Sequence, residues 1–300
     1  MTTVFVHGMP ETAQIWDPLR AVLNRDSIAL ALPGFGTPRP AGFTATKDAY
    51  AEWLGDKLSK LATPIDVVGH DLGALLTMRV VSSFDPRLRS WAVDVANIFH
   101  PDFVWPDRVQ QLQTPGIGEE MMKIAEEADV DDPASTEARL EAHGVPSELA
   151  RTIGAQHDEV MSKCILDFYR SAVPNVSAGW WRDIGRLTTA RGLVLLLPDP
   201  PEHEALSVDV TRRLGADTAR LDGLNHCWMA EAPDIVAPVL EHFWASIDWA
   251  ALRRWVQTEP FECRPFRSVS AGVTLPAKLA QPSHTRLYLT TIPRRAPSLA

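Results

Sequence analysis

Short apolar runs broken by turn residues set the pattern of the N-terminal third. Thr3 to Val6 reads as a strand that stops at the loop His7-Gly8-Met9-Pro10-Glu11. A short helix over Trp16 to Leu23 follows, then a second strand over Ser27 to Leu32, closed by Pro33-Gly34-Phe35-Gly36. After a Pro- and Gly-rich loop, Tyr50, Trp53, Leu54, Leu58 and Leu61 keep helical spacing, with Thr46 placed as the N-cap. Ile65 to Val68 is a third strand, Leu75 to Val81 a helix, and Trp91 to Ala96 a fourth strand. Strands alternating with helices at this spacing predict a mostly parallel α/β sheet. Ligands of such sheets sit beyond the carboxyl ends of the strands.

The pattern then changes. Residues 98–190 show no convincing strand; they read as helical, acidic between Glu119 and Asp132, with scattered Phe, Trp and Tyr. This predicts a helical cap inserted into a core made of residues 1–97 and 191–256. The sheet pattern returns at Gly192 to Leu197 and near Ala219 to Leu221, and a last helix covers Asp234 to Ile247. Residues 257–300 carry six basic against two acidic side chains, many Pro, Ser and Thr, and no periodic apolar face. They are expected to form a poorly ordered tail.

Composition narrows the function classes. With 300 residues and 45% hydrophobic positions, the chain can bury a large core. A net charge of −9 without a basic stripe argues against nucleic acid and anionic membranes as partners. No apolar run approaches the roughly 18–20 residues that would span a bilayer, and the N-terminus lacks the pattern of a signal peptide. Cys164, Cys227 and Cys263 make no disulfide framework, so a cytoplasmic location is expected. Oligomeric state leaves no mark in the sequence.

The candidate chemistry centres on Gly69-His70-Asp71-Leu72-Gly73, where a strand runs into a helix through two glycines. This is the G-x-Nuc-x-G arrangement, a sharp turn that exposes one side chain at the top of a parallel sheet. Asp71 stands where serine is usual. An aspartate is ionised at neutral pH and attacks an sp³ carbon bearing a leaving group, giving an alkyl-enzyme ester. Hydrolysis of that ester needs oxyanion donors, for which the N–H groups of Leu72 and Met9 stand in the expected places. The plainer reading of Asp71 is a helix N-cap.

A base should follow the last strand, and His226 in Gly223-Leu224-Asn225-His226-Cys227-Trp228 is placed for it. His7 and His70 are expected to shape loops beside the site. The acid that orients His226 is open between three positions. Glu202 has the more usual offset beyond the Leu193–Leu197 strand, Asp199 lies nearer that strand's end, and Asp94 falls inside an apolar strand where a carboxylate needs a partner.

Taken together, the His7–Glu11 loop, the Gly69–Gly73 turn and the Gly223–His226 run resemble the α/β-hydrolase superfamily over about residues 1–250. More narrowly, they are similar to its epoxide hydrolase and haloalkane dehalogenase branch. The resemblance implies a cofactor-free hydrolase acting on a small apolar substrate in a pocket between sheet and cap. Met9 and Leu72 stand where haloalkane dehalogenases place halide donors, and Leu72 and Leu75 where fluoroacetate-type dehalogenases place arginines. His7-Gly8-Met9-Pro10-Glu11 matches the epoxide hydrolase pattern. Asp167-Phe168-Tyr169-Arg170 is similar to that family's cap motif, which implies Tyr169 as the acid on the epoxide oxygen. A second cap tyrosine is missing upstream of Gln113; Arg108, Gln110, Gln111 or His100 would have to substitute. The chain begins at what would be the third of eight strands, so the family's first strands are expected to be missing or the start site truncated. Dehalogenation, or binding of a ligand or partner by a catalytically weak relative, are the other expectations.

Overall fold

The structure, a computed structural model, describes residues 2–62, 64–84, 88–186, 190–258 and 289–290, with side chains up to residue 247. Strands β1 (Thr2–Val6), β2 (Ser27–Leu30), β3 (Ile65–Gly69), β4 (Leu88–Val93), β5 (Arg191–Leu196) and β6 (Asp217–Arg220) form one sheet. Their order is β2-β1-β3-β4-β5-β6, every pair parallel, and a two-residue strand β7 (Leu289–Thr290) joins β6 antiparallel. The rest of the expected tail, with Cys263, lies outside the described residues; Cys164 and Cys227 are free and buried.

Helices cover both faces of the sheet, and the period-two alternation of the strands decides what each face meets. Val4, Val6, Val67, Trp91, Val93, Val194 and Leu196 point into one apolar cluster. That cluster is completed by α2 (Lys47–Ser59), α3 (Leu72–Ser83) and α9 (Pro201–Leu214). Phe5, Val68, Ala92, Leu193 and Leu195 point into the other, with Trp16, Trp228 and Trp244 from the opposite layer. That layer contains α1 (Asp17–Val22), α10 (Trp228–Glu231) and α11 (Pro233–Thr258). All five residues of β3 are buried, as a central strand requires. No helix among the described residues is long and apolar enough to cross a membrane.

Between β4 and β5 the described residues are helical: α4 (Asp107–Gln113), α5 (Ile117–Glu127), α6 (Thr136–Ala142), α7 (Ser147–Gly154) and α8 (Glu159–Ser171). Buried Leu112, Met122, Ile165, Leu166 and Phe168 attach α4, α5 and α8 to the first cluster. Leu140, Val145, Ala150 and Ile153 attach α6 and α7 to the second.

Two boundaries differ from expectation where the site is built. β4 ends at Val93, because Val95 takes a left-handed backbone (φ 40°) and turns the chain into a 3-10 turn over Ala96–Phe99. Asp94 therefore follows the strand instead of lying inside it. The stretch after β5 becomes α9 at Pro201, a residue suited to a first helical position. Glu202 is thereby drawn into a first turn, where a carboxylate favours the helix dipole.

Candidate active site

The turn between β3 and α3 is as tight as its glycines imply. A Cβ at Gly69 would lie 2.4 Å from the Gly73 carbonyl oxygen, and one at Gly73 would lie 2.1 Å from that of Val6. Only glycine lets the start of α3 cross this close to β1 and β3. Asp71 between them has φ 49° and ψ −116°, a conformation costly for a residue with a side chain. Its own N–H donates to Asp94 Oδ1 at 3.0 Å, which helps to hold the strained turn. No side-chain capping bond is made by Asp71 onto α3, so the N-cap reading of its carboxylate does not apply.

The Asp71 side chain is 16% exposed, and its Oδ2 lies 3.9 Å from His226 Nε2. Burial, with the nearby charges of Glu11 and Asp94, pushes its carboxyl up to about 7 against the opposing pull of His70 and a hydrogen bond from the Met9 N–H. Leu72, the first residue of α3, has no acceptor for its N–H within the helix. The Met9 N–H thus reaches the Asp71 carboxylate, and the Leu72 N–H opens the helix that follows it.

His226 reaches the site from the loop after β6. Asn225 is held by Glu231 through its N–H (2.6 Å) and side-chain amide (2.8 Å), and the Cys227 N–H donates to the His143 carbonyl at 3.0 Å. The imidazole packs against the rings of His70 and His143, with centroids 4.5 Å and 5.4 Å away. Burial and the charge of His70 bring it down to about 4, so it is neutral at pH 7.

Beneath this pair lies a buried charge network. His70 Nδ1 donates to Asp94 Oδ2 at 2.5 Å, and its Nε2 stands 3.0 Å from Glu11 Oε1, an ion contact off the line of a hydrogen bond. Burial opposes the imidazolium, but the two carboxylates outweigh it and hold His70 well above its ordinary range. Burial also opposes the Glu11 carboxylate, yet His70 pulls it down to about 2. Asp94 is fully engaged, since Oδ2 also accepts from Trp228 Nε1 at 2.7 Å. Glu11 Oε2 accepts the Gly8 N–H at 3.0 Å, fixing the loop that carries Met9. His7 clamps the same loop: Nδ1 donates to the Gly8 carbonyl (2.8 Å) and Nε2 accepts the Leu32 N–H (3.1 Å). Glu11, His70 and Cys227 are near enough to offer one ligand atom each to a metal ion, but His70 is already committed to two carboxylates.

None of the three acids weighed as the partner of His226 touches it. Asp94 is taken by His70 and Trp228, Glu202 is exposed at the start of α9, and half-buried Asp199 forms no ion pair with the imidazole. Among the described residues Asp71 is the one carboxylate in contact with the His226 ring. The sequence does not reveal that the histidine beside Asp71, not the distant one, owns Asp94.

Tyr169, on α8, comes over the site. Trp105 packs edge-on against its ring at 5.5 Å, and its hydroxyl has no hydrogen-bond partner among the described residues. Burial and the Asp71 carboxylate keep it protonated far above neutral pH. Tyr169 and Met9 line a cavity of about 90 Å³ together with Arg108, Arg139 and the apolar side chains of Leu112 and Ile165. Of the residues named as substitutes for a second tyrosine, Arg108 lines this cavity. Gln110 donates to the Trp105 carbonyl (2.7 Å), Gln111 is exposed, and His100 sits 3.4 Å from Asp209. Tyr50 donates to the Pro33 carbonyl at 2.7 Å, and Tyr288 lies outside the described residues. Arg139 carried no motif: it occupies a polar position of a short helix, and only the fold turns it inward.

Comparison with known proteins agrees with this architecture. A model of the alpha/beta hydrolase family matches residues 3–239. A haloalkane dehalogenase DbeA loop variant from Bradyrhizobium elkanii superposes with a TM-score of 0.64 at 18% identity, covering 83% of this chain and 91% of that one. A reconstructed ancestral haloalkane dehalogenase gives 0.63 at 19%, covering 82% and 92%. A candidate epoxide hydrolase from Pseudomonas aeruginosa gives 0.62 at 19%, covering 83% and 90%. These identities speak for a shared fold. No curated protein matches the chain in sequence.

Proposed function

The chain belongs to the alpha/beta hydrolase family, and from that premise we propose that it is a cofactor-independent hydrolase that opens an epoxide through an ester on Asp71. The observation that carries this reading is the placement of Asp71 in the strained turn, 3.9 Å from a neutral His226. A serine in that position would need His226 to remove its proton; an aspartate leaves His226 free for the second step.

In the first step an Asp71 oxygen attacks an epoxide carbon. The carbon–oxygen bond of the ring breaks, its electron pair stays on oxygen, and the Tyr169 hydroxyl gives that oxygen a proton. In the second step His226 takes a proton from water, whose oxygen attacks the ester carbonyl carbon. The resulting oxyanion is met by the N–H groups of Met9 and Leu72. Collapse releases the diol and restores Asp71, and the proton on His226 returns to the Tyr169 phenolate. The gap of 3.9 Å is too long for a direct hydrogen bond and suits a water held between the two groups. Orientation of His226 falls to the flanking rings of His70 and His143, and Asp94 acts through His70 and the Asp71 N–H.

The cap of this reading is the helical segment between β4 and β5, which brings Tyr169 over Asp71. Dehalogenation is less well supported, because the indole N–H groups nearest the site are engaged. Trp105 donates to the Ala172 carbonyl at 2.9 Å and Trp228 to Asp94 at 2.7 Å.

The test is a panel of epoxides and haloalkanes. Asp71→Ala is expected to abolish diol formation, and His226→Gln to accumulate an ester that adds the mass of the epoxide to the Asp71 peptide. Tyr169→Phe should slow formation of that ester by about 10²-fold. Undiminished diol formation by Asp71→Ala would sink the mechanism, and halide release without diol formation would select dehalogenation.

A further inference from the structure

Arg139 lies on the inner side of α6, half-buried, in the wall of the cavity that Tyr169 also lines. Its guanidinium makes no hydrogen bond and no ion pair among the described residues. Burial and, in the same sense, the neighbouring Arg108 bring it down to about 10 against a smaller opposing pull from Tyr169. Arg108, at the exposed start of α4, lines the same cavity and likewise has no partner.

This is unusual within the molecule. Arg25 and Arg89 reach Asp66 at 2.8 Å and 2.7 Å, Arg79 reaches Asp183 at 3.1 Å, and Arg39 and Arg170 reach Asp167 and Glu119 at 2.7 Å. A half-buried guanidinium pays for its desolvation with nothing in return unless an anion arrives. Two guanidiniums turned toward one small cavity also repel each other, which an anion between them would relieve.

The geometry points to a carboxylate-binding subsite formed by Arg139 and Arg108, so that the molecule held for attack by Asp71 is a small organic acid bearing its carboxylate at the end away from the reacting carbon. Leu112 and Ile165, which line the same cavity, fit a short carbon chain. Guanidinium forks match a planar carboxylate with paired hydrogen bonds. The Arg pair comes from helices inserted after β4, so the Leu residues beside the nucleophile do not count against an acidic substrate. The inference rests on the reading above for the chemistry at Asp71, but not for binding.

The test therefore separates the two. Binding of propionate and propionamide to the full chain is measured by calorimetry, with Arg139→Met and Arg108→Met beside the unaltered protein. Propionate is expected to bind about tenfold more tightly than the amide, with the preference lost in each variant. Arg108 is exposed, so its variant reads the subsite with the fold left untouched. Equal binding of acid and amide, or propionate binding unchanged in both variants, overturns the subsite. Turnover is then measured with terminal epoxy acids of increasing chain length and their amides. A kcat/KM preference for one acid that disappears in Arg139→Met supports the subsite. Arginine-dependent propionate binding without turnover of any epoxide also supports it and removes the ester mechanism instead. Asp71-dependent turnover of amides and acids alike overturns the subsite and leaves the ester mechanism standing.

Discussion

The two sides of the site treat charge in opposite ways. On the sheet side, Glu11, His70 and Asp94 are buried and each faces an opposite charge at 3.0 Å or less. Across the cavity, Tyr169, Arg108 and Arg139 have polar ends with no partner among the described residues. A polar end that faces a cavity without a partner is free to bond an arriving molecule. The satisfied side therefore reads as scaffold, and the unsatisfied side as the surface that awaits a molecule. The contrast also explains why so many titratable groups cluster here: His70 carries its charge between Asp94 and Glu11, while His226 is neutral.

The sharpest way to break this contrast is to remove Asp94. Asp94→Ala strands the His70 imidazolium beside Glu11 alone and frees the N–H groups of Asp71 and Trp228. Losing one member of a buried pair costs about 3–5 kcal/mol. Urea unfolding should show a loss of that size. A loss below about 1 kcal/mol would mean that the network is not what holds the strained turn.

Much of this was legible in the chain, for a physical reason. Gly69 and Gly73 are demanded because a Cβ there would lie 2.4 Å and 2.1 Å from backbone oxygens, so the turn announces itself locally. His7, Met9 and Glu11 form one short loop for the same reason. Alternation along β1, β3 and β5 likewise reports which face each side chain takes. What could not be read was pairing across distance. Nothing near Asp94 in the sequence shows that it meets His70 rather than His226, and Glu202 looked available because the start of α9 was not foreseen. Arg139 was silent because a polar residue on a short helix normally faces water. Its neighbour Leu140 is buried in the apolar cluster that also holds Ile153, Trp16 and Trp228, which fixes how α6 lies.

A smaller effect sharpens the contrast by titration. Burial pushes Asp71 up to about 7, whereas His226 is brought down to about 4. The proposed mechanism requires Asp71 ionised and His226 neutral. The acid limb of kcat/KM therefore belongs to Asp71: activity is full above pH 7 and falls as pH drops through it, by about tenfold per unit, or about 1.4 kcal/mol. His226 adds no limb between pH 5 and 8. A profile of kcat/KM that stays flat from pH 8 down to 5 would show that the sheet-side charges leave Asp71 ionised after all.

The smallest effect bears on the open side. Arg139 has no carboxylate to lose, so Arg139→Met breaks no pair. It removes a half-buried charge and the repulsion from Arg108, and keeps an apolar stem in the wall of the cavity. Stability in urea should stay level or rise by up to about 1 kcal/mol, against the large loss expected for Asp94→Ala. The sign matters more than the size. A scaffold arginine destabilises the fold when it is removed, whereas an arginine kept for a ligand stabilises the empty protein on removal and weakens the loaded one. Adding propionate should therefore reverse the order of the two proteins, because binding stabilises only the form that still holds the anion. An unaltered order in saturating propionate would place Arg139 with the scaffold and erase the distinction between the two sides.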